Sequence, residues 1–292
     1  ERPVCAYTAA FEAGSVHDER ELARKVAKAC NARHIEVMFS ESDFWDLLPE
    51  VAAAVDDPCA DYAILPTYKL AKEAARDFKV VLSGEGGDEL FGGYGRYRSV
   101  MRPFLRAEVV HGWRDGIAAS ENRESRGKRS RLAIAQAVDC SDWLPNDLLI
   151  KLDRCLMAHG LEGRTPFLDP MVAEFAYRLP DRLKIRKGTG KFMLRNWLDR
   201  CLPMAEPFGK KRGFTVPVAE WIGQQGKRLG PLVARQPGIT EIAKPGAVEK
   251  LFVTGGKKEG AAAWHLLFYA LWHRSNVLGH APSGDVFETL TH

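Results

Sequence analysis

The chain of 292 residues carries 42 Lys and Arg against 38 Asp and Glu, a formal net charge of +4, and is 46% hydrophobic. This length suits one large domain or two small ones with a buried core, and so modest a charge does not favour a nucleic-acid partner. No apolar run approaches the roughly 20 residues that a membrane-spanning helix needs.

Cysteines are spread along the chain without a Cys-x-x-Cys pair, at positions 5, 30, 59, 140, 155 and 201. Neither a zinc site nor a redox motif is therefore indicated. For a chain of this size we expect buried free thiols and a cytoplasmic protein, because the cytosol keeps thiols reduced.

Strand and helix patterns alternate over the first 82 residues. The predicted elements are strands 4–11, 34–39 and 79–82 and helices 18–31, 43–55 and 62–77. Such alternation is typical of an α/β fold with a doubly wound parallel sheet, in which ligands bind beyond the carboxyl ends of the strands. Residue 83 lies at such an end.

After residue 97 strand patterns become rare, and the predicted helices are 146–160, 170–178, 190–201 and 257–278. The apolar stripe of the last helix is typical of a core position. We expect 112–127 to be a polar segment, 223–260 to form loops with short helices, and the tail from Gly279 to be frayed. The chain is thus expected to divide into an α/β part, 1–100, and a mainly helical part, 101–292.

The segment 80–94 combines a short apolar strand, a glycine-rich turn and two acidic residues at a predicted helix start. Free backbone N–H groups and the positive end of a helix dipole suit a phosphate. Asp88 and Glu89 would repel a bare phosphate, but Mg²⁺ is held by one or two carboxylates together with phosphate oxygens. The segment therefore indicates a nucleotide–magnesium site. An ordinary loop is the alternative, since the spacing fits neither the Rossmann nor the Walker pattern.

Three blocks resemble, in order and in one register, the synthetase domain of glutamine-hydrolysing asparagine synthetases. The first is Ser-Gly-Glu-Gly-Gly-Asp-Glu-Leu-Phe-Gly-Gly-Tyr at 83–94. The second spans 143–169 and includes Leu-Glu-Gly-Arg-Thr-Pro-Phe-Leu-Asp. The third spans 179–221 and includes Lys191, Leu194-Arg195 and Lys-Arg-Gly-Phe at 211–214. With matches at Asp18-Glu19, His34, Asp57-Pro58 and Asp61, the resemblance covers residues 4 to about 222.

The resemblance implies a parallel sheet of the adenine-nucleotide α-hydrolase type, with 1–100 as the remainder of the ATP-binding domain and 101–292 completing the synthetase domain. It implies two cofactors, ATP and Mg²⁺, and two partners, a small carboxylic acid (aspartate by default) and ammonia from a glutaminase domain. The acid is adenylated and then attacked by ammonia, giving amide, AMP and pyrophosphate. A homodimer is compatible with this picture.

Roles for individual residues also come from the resemblance. Those that would contact the nucleotide are Ser83, Gly84, Gly86 and Gly87. Asp88 would hold Mg²⁺, and Glu85 would lie beside the reacting carboxyl and accept a proton from ammonia. Lys191 would neutralise charge on the phosphates or the adenylate; a solvated loop lysine is the alternative.

Four further residues carry less specific expectations. Glu89 is expected to cap or brace the helix, and Tyr94 either to pack over the site or to close a turn. Arg164 and Asp169 would either line the pocket for the acceptor, the carboxylic acid, or form a structural brace, with Arg164 in a buried ion pair. The basic cluster 210–212 is either a solvated face or lies near the ATP phosphates.

The sequence departs from the family pattern in one respect. A Ser-Gly-Gly-x-Asp-Ser loop, which wraps the pyrophosphate in the family, is absent, and Thr-Gly-Gly-Lys at 254–257 lacks the Asp-Ser. The glutaminase domain is also missing. We therefore expect a piece of a longer protein with an incomplete pyrophosphate site. The alternatives are a non-catalytic or degenerate domain and a β-lactam synthetase-type relative, in which an internal amine replaces ammonia.

Overall fold

The computed structural model describes residues 4–11, 20–101, 129–209 and 216–292. Within these ranges the strands are β1 Cys5–Phe11, β2 Arg33–Phe39, β3 Val80–Leu82 and β4 Glu162–Arg164. The α-helices, numbered here in chain order, are α1 Arg20–Ala29, α2 Glu41–Ala54, α3 Ile64–Ala74, α4 Gly87–Phe91, α5 Gly95–Val100, α6 Arg131–Val138, α7 Ile150–Met157, α8 Pro170–Arg178, α9 Asp181–Lys184, α10 Phe192–Cys201, α11 Val218–Gln224, α12 Gly226–Ala234, α13 Pro237–Thr240, α14 Pro245–Thr254, α15 Lys257–Trp272 and α16 Val286–Thr291. Asp139–Leu149 and His273–Val277 are wider π-helical turns, and Pro166–Leu168 and Pro203–Ala205 are 3₁₀ turns.

The chain folds into two compact units, each assembled from segments that are distant in sequence. Unit 1 comprises Glu1–Lys79, Lys151–Leu161 and Arg212–His292, and unit 2 comprises Val80–Ile150 and Glu162–Lys211. Both units therefore contain residues from either side of position 100. The division into an ATP-binding part and a helical part stays a prediction.

Unit 1 contains a parallel strand pair and a large helical core. β1 and β2 pair in parallel from Cys5 with Arg33 to Phe11 with Phe39, close to the predicted bounds. Helix α2 begins after Ser40, which forms a reciprocal capping box with Asp43.

The apolar stripe of α15 is part of this core. Trp264, Leu267 and Phe268 are fully buried, as the sequence predicts, and Trp264 Nε1 donates to the Ala60 carbonyl at 2.7 Å. In the same unit Lys151 Nζ lies 2.7 Å from Asp61 Oδ2. Polar contacts thus attach two segments that are distant in sequence, around Lys151 and Trp264, to residues 60 and 61.

The C-terminal part of unit 1 is more ordered than the sequence indicates. Most of 223–260 is helical, in α12 to α15, and the expectation of a frayed tail is wrong. Asp285 Oδ1 caps α16 by accepting from Glu288 N at 2.8 Å, and Val286 and Leu290 are buried. An apolar helix face with a side-chain cap is enough to fix the last turn.

Unit 2 contains the second strand pair. β3 and β4 run parallel, with Val80 beside Glu162 and Leu82 beside Arg164. The α/β class is confirmed, but the described residues hold two separate two-stranded sheets and not the single sheet that we expected. β4 was not predicted, because Glu-Gly-Arg shows no apolar alternation.

Three expectations lie outside the described residues: the polar segment 112–127, the basic cluster 210–212 and the match at Asp18-Glu19. Among the described helices, none is long and apolar enough to cross a membrane.

Candidate functional site

The glycine-rich turn leaves β3 directly. Ser83 N donates to the Arg164 carbonyl at 2.9 Å, and Gly87 N donates to the Gly84 carbonyl at 3.3 Å, which closes the turn. Gly86 has φ +86°, and a Cβ there would lie 2.2 Å from Leu168 Cδ2, so only glycine fits. Gly84 is exposed, and a Cβ there would meet nothing within 4 Å. The turn therefore presents bare backbone to solvent at Gly84.

Helix α4 follows the turn and carries Asp88. It has five residues, so its dipole is weaker than the predicted helix start implied. Asp88 Oδ2 lies 3.1 Å from Lys191 Nζ, and the two side chains remain 27% and 29% exposed. Two predicted site residues from distant segments are thus brought together, and the role of Lys191 at the phosphates stays a prediction.

Close backbone contact holds Lys191 at this place. Lys191 N donates to the Phe91 carbonyl at 3.1 Å, and the residue itself has φ +52°. A Cβ at the preceding Gly190 would lie 2.2 Å from the Gly92 carbonyl oxygen. The Gly190 segment can therefore approach the end of α4 only because it carries no side chain there.

Glu85 is half-buried on the same turn, as is Ser83. The predicted proton-accepting role of Glu85 and the nucleotide contacts of Ser83, Gly84, Gly86 and Gly87 stay predictions. These residues form one continuous stretch between β3 and Asp88, in which Gly87 is the first residue of α4.

The polar groups fit one mode of Mg²⁺ binding. No group of three or more His, Cys, Asp or Glu residues suited to a metal occurs among the described residues. Asp88 is beside a lysine ammonium, which repels a bare cation. The described residues therefore suit Mg²⁺ held by one carboxylate together with phosphate oxygens, and do not suit a cage made of protein ligands alone.

Glu89 is buried, with 1% of its surface exposed, and accepts a hydrogen bond from the Tyr94 hydroxyl. The Arg96 guanidinium lies 4.1 Å from the centre of the Tyr94 ring and pairs with Asp139 at 2.8 Å. The Glu89 side chain thus links α4 to the segment that follows it, which agrees with a bracing role, and Tyr94 supplies the donor for this link. Arg96 and Asp139 were missed, because no local pattern links them.

Burial raises the pKa of Glu89 above its ordinary value, and the Asp88 and Asp139 carboxylates add to the rise, while the hydrogen bond from Tyr94 opposes it. In the unfolded chain the group ionises near its ordinary pKa of 4.5. Between pH 4.5 and the raised pKa, the Glu89 carboxyl is ionised in the unfolded chain but still protonated in the folded chain. Glu89 therefore lowers the free energy of unfolding over that window.

The Glu89→Gln variant should gain stability relative to the wild type as pH rises from about 4.5 to neutral, because the buried amide never ionises. Its carbonyl oxygen can still accept from Tyr94. Urea unfolding at several pH values measures the difference, with the exposed Glu174→Gln as the control. A difference between Glu89→Gln and wild type that is the same at every pH would contradict the prediction.

The contacts of Arg164 and Asp169 bear differently on the structural alternative for each residue. Arg164 Nε lies 3.0 Å from Glu162 Oε1 in a pair that is more than 60% exposed on both sides, so the expected buried ion pair is wrong. Asp169 Oδ1 accepts from Met171 N at 2.9 Å and caps α8. Asp169 therefore supports the helix start.

Comparisons with known proteins agree with the resemblance. The sequence model described as "Asparagine synthase" matches residues 1–274. A "putative" glutamine-hydrolyzing asparagine synthetase of Mycobacterium tuberculosis is 32% identical over 332 aligned positions, covering 91% of this chain and 50% of that protein. Glutamine-hydrolyzing asparagine synthetase 1 of Bacillus subtilis is 29% identical, covering 92% of this chain and 53% of that protein. The mouse asparagine synthetase is 29% identical over 61% of this chain.

The chain therefore belongs to the asparagine synthase family. It spans about half the length of the curated bacterial relatives above, at 50% and 53%.

Proposed function

We propose that the protein containing this chain forms amides from carboxylic acids at the expense of ATP, with ammonia from glutamine as the nitrogen donor. The observation that carries the proposal is the Asp88–Lys191 pair at 3.1 Å beside the glycine-rich turn. Family membership and the glutamine-hydrolyzing relatives support the reaction class.

The chemistry explains why these residue types are needed. A carboxylate is a poor electrophile, so its oxygen first attacks the α-phosphorus of ATP and pyrophosphate leaves. Ammonia then attacks the acyl carbon, and AMP departs with the carbon–oxygen bond electrons. Negative charge gathers on the phosphorus oxygens in the first step, and fixed cations stabilise it.

Each residue of the site has a separate role in this proposed reaction. The bare backbone at Gly84 leaves room for the nucleotide, and the Lys191 ammonium stabilises charge on the phosphates. Asp88 would hold Mg²⁺, which supplies positive charge to the polyphosphate when bound. Glu85 accepts a proton from the attacking ammonia.

The Glu85→Ala variant should bind ATP normally but form amide about a hundredfold more slowly, since general bases contribute about 10²–10⁴-fold. ATP binding and amide formation are measured separately. The control is Glu162→Ala on β4, which removes an exposed carboxylate. An unchanged amide rate, or a loss of ATP binding equal to the loss of rate, would show that Glu85 has another role.

The function itself is tested on the full-length protein with ATP, Mg²⁺, ammonia or glutamine, and a panel of carboxylic acids. We expect one AMP and one pyrophosphate per amide. No AMP release with any acid would refute the proposal. Amide formation that needs no added ammonia or glutamine would instead indicate that an amine within the substrate attacks the acyl carbon.

A further inference from the structure

Helix α4 is too short for its last carbonyl groups to find partners inside the helix, so residues outside it supply the donors. The Asp88 carbonyl accepts from Gly93 N at 2.8 Å, and the Phe91 carbonyl accepts from Lys191 N at 3.1 Å. The second bond connects the backbone of Lys191 to the helix that carries Asp88. The distance between the Asp88 and Lys191 side chains therefore depends on how the end of α4 is held in place.

One side chain binds the two carbonyls that lie between these. Gln136 Nε2, on α6, donates to the Glu89 carbonyl and, at 2.9 Å, to the Leu90 carbonyl. Gln136 Oε1 accepts from Lys184 Nζ at 2.9 Å. Gln136 is 3% exposed and Lys184 2% exposed, so both side chains are almost fully buried.

Lys184 determines which way the Gln136 amide faces. An ammonium group can only donate, so the amide oxygen must point to it and the NH₂ group must point to α4. The reversed amide would place its oxygen against two carbonyl oxygens and its NH₂ against the ammonium. A lysine buried to this extent is costly, and burial lowers the pKa of Lys184. An apolar residue could fill the space but could not orient the amide.

We propose that Lys184 and Gln136 are positioning residues, which hold the end of α4 and so keep Asp88 and Lys191 at the separation that Mg²⁺ and ATP require. The importance of that separation rests on the proposed function. The hydrogen-bonded arrangement itself does not. Both residues act through α4, without touching the substrates.

Two variants of the full-length protein test this inference. Gln136→Met removes both donors at similar side-chain length, and Lys184→Met removes the ammonium but keeps the stem. In each we expect the Mg²⁺ concentration for half-maximal AMP formation to rise about 10-fold or more, the range seen when groups behind a metal ligand are removed. The double variant should be within about twofold of Gln136→Met alone, because the two side chains act as one unit. Lys184→Arg, which keeps a donor, should lie closer to wild type than Lys184→Met.

Gln236→Met is a matched control. Gln236 is also buried, at 5% exposed, and its Nε2 donates to two carbonyls, of Leu232 and Leu290, in unit 1. It should lower the melting temperature much as Gln136→Met does and leave the Mg²⁺ requirement unchanged. A Mg²⁺ requirement within about twofold of wild type in both Gln136→Met and Lys184→Met would overturn the inference.

Amide hydrogen exchange without substrates separates this inference from the proposed function. Exchange at Gly93 N and Lys191 N should quicken about 10-fold or more in Gln136→Met and Lys184→Met but not in Gln236→Met. If the wild type releases no AMP, the proposed function fails and the exchange result alone decides the inference. Unchanged exchange at these two amides overturns it in either case.

Discussion

Asp88→Asn should reduce Mg²⁺-dependent ATP binding by about a hundredfold or more. Loss of a residue that only hydrogen-bonds to a metal ligand already reduces metal affinity about 10–100-fold, and a direct ligand contributes more. Asparagine has the same shape but lacks the charge that Mg²⁺ prefers. ATP binding without Mg²⁺ should persist, since the ammonium of Lys191 loses a competing carboxylate. The fold should survive, because an ion pair whose side chains are more than a quarter exposed contributes roughly 1 kcal/mol or less.

Titration of ATP at fixed concentrations of Mg²⁺ measures the effect, and thermal unfolding checks the fold. The control is Asp285→Asn, at the N-cap of α16, where asparagine caps a helix about as well as aspartate. If Asp88→Asn retains Mg²⁺-dependent binding within about twofold, Asp88 is not the metal ligand, since even an indirect group should matter more.

Lys191→Met should slow AMP formation about 10²–10³-fold, the loss seen when one preorganised donor to a developing negative charge is removed. The effect should fall mainly on kcat, because the charge on the phosphorus oxygens is greatest in the transition state. Loss of the ion pair with Asp88 should change stability little, since both side chains are more than a quarter exposed.

Lys187→Met is the matched control for this variant. Lys187 lies four residues earlier and also has a positive φ, +49° against +52° for Lys191. It is exposed, so its removal should leave the rate unchanged. Equal losses of rate in the two variants would show that overall positive charge, and not the placement of Lys191, supports the reaction.

The sequence predicted best those features that a local pattern encodes. β1, β2 and the first three helices lie close to their expected bounds, because apolar residues repeat there at strand or helix spacing. The turn at 83–87 and its exit into a helix were likewise readable from the glycines. The expectation of a frayed tail from Gly279 was wrong because a few apolar residues in a sequence do not reveal the core against which they pack.

The candidate site was only partly predictable. Asp88 and Lys191 were connected through the family resemblance, since no periodicity relates residues so far apart. Lys184 lies within the third block of the resemblance, but no role was predicted for it or for Gln136, because a glutamine on a helix and a lysine between leucine and isoleucine resemble surface residues. Only tertiary packing shows that both are buried, that Gln136 donates to carbonyls of α4 and that Lys184 donates to Gln136.

The interleaved segments of unit 1 have a consequence for biosynthesis. Trp264 and Ala60, joined by a hydrogen bond, are 204 positions apart, so the N-terminal part of the unit leaves the ribosome long before its partner. Contacts of such long range slow folding and leave apolar surface exposed in the interval. Until α15 has been synthesised, the apolar face of α2 that carries Phe44 and Leu48 lacks its partners there, and it is a surface at which the nascent chain can aggregate.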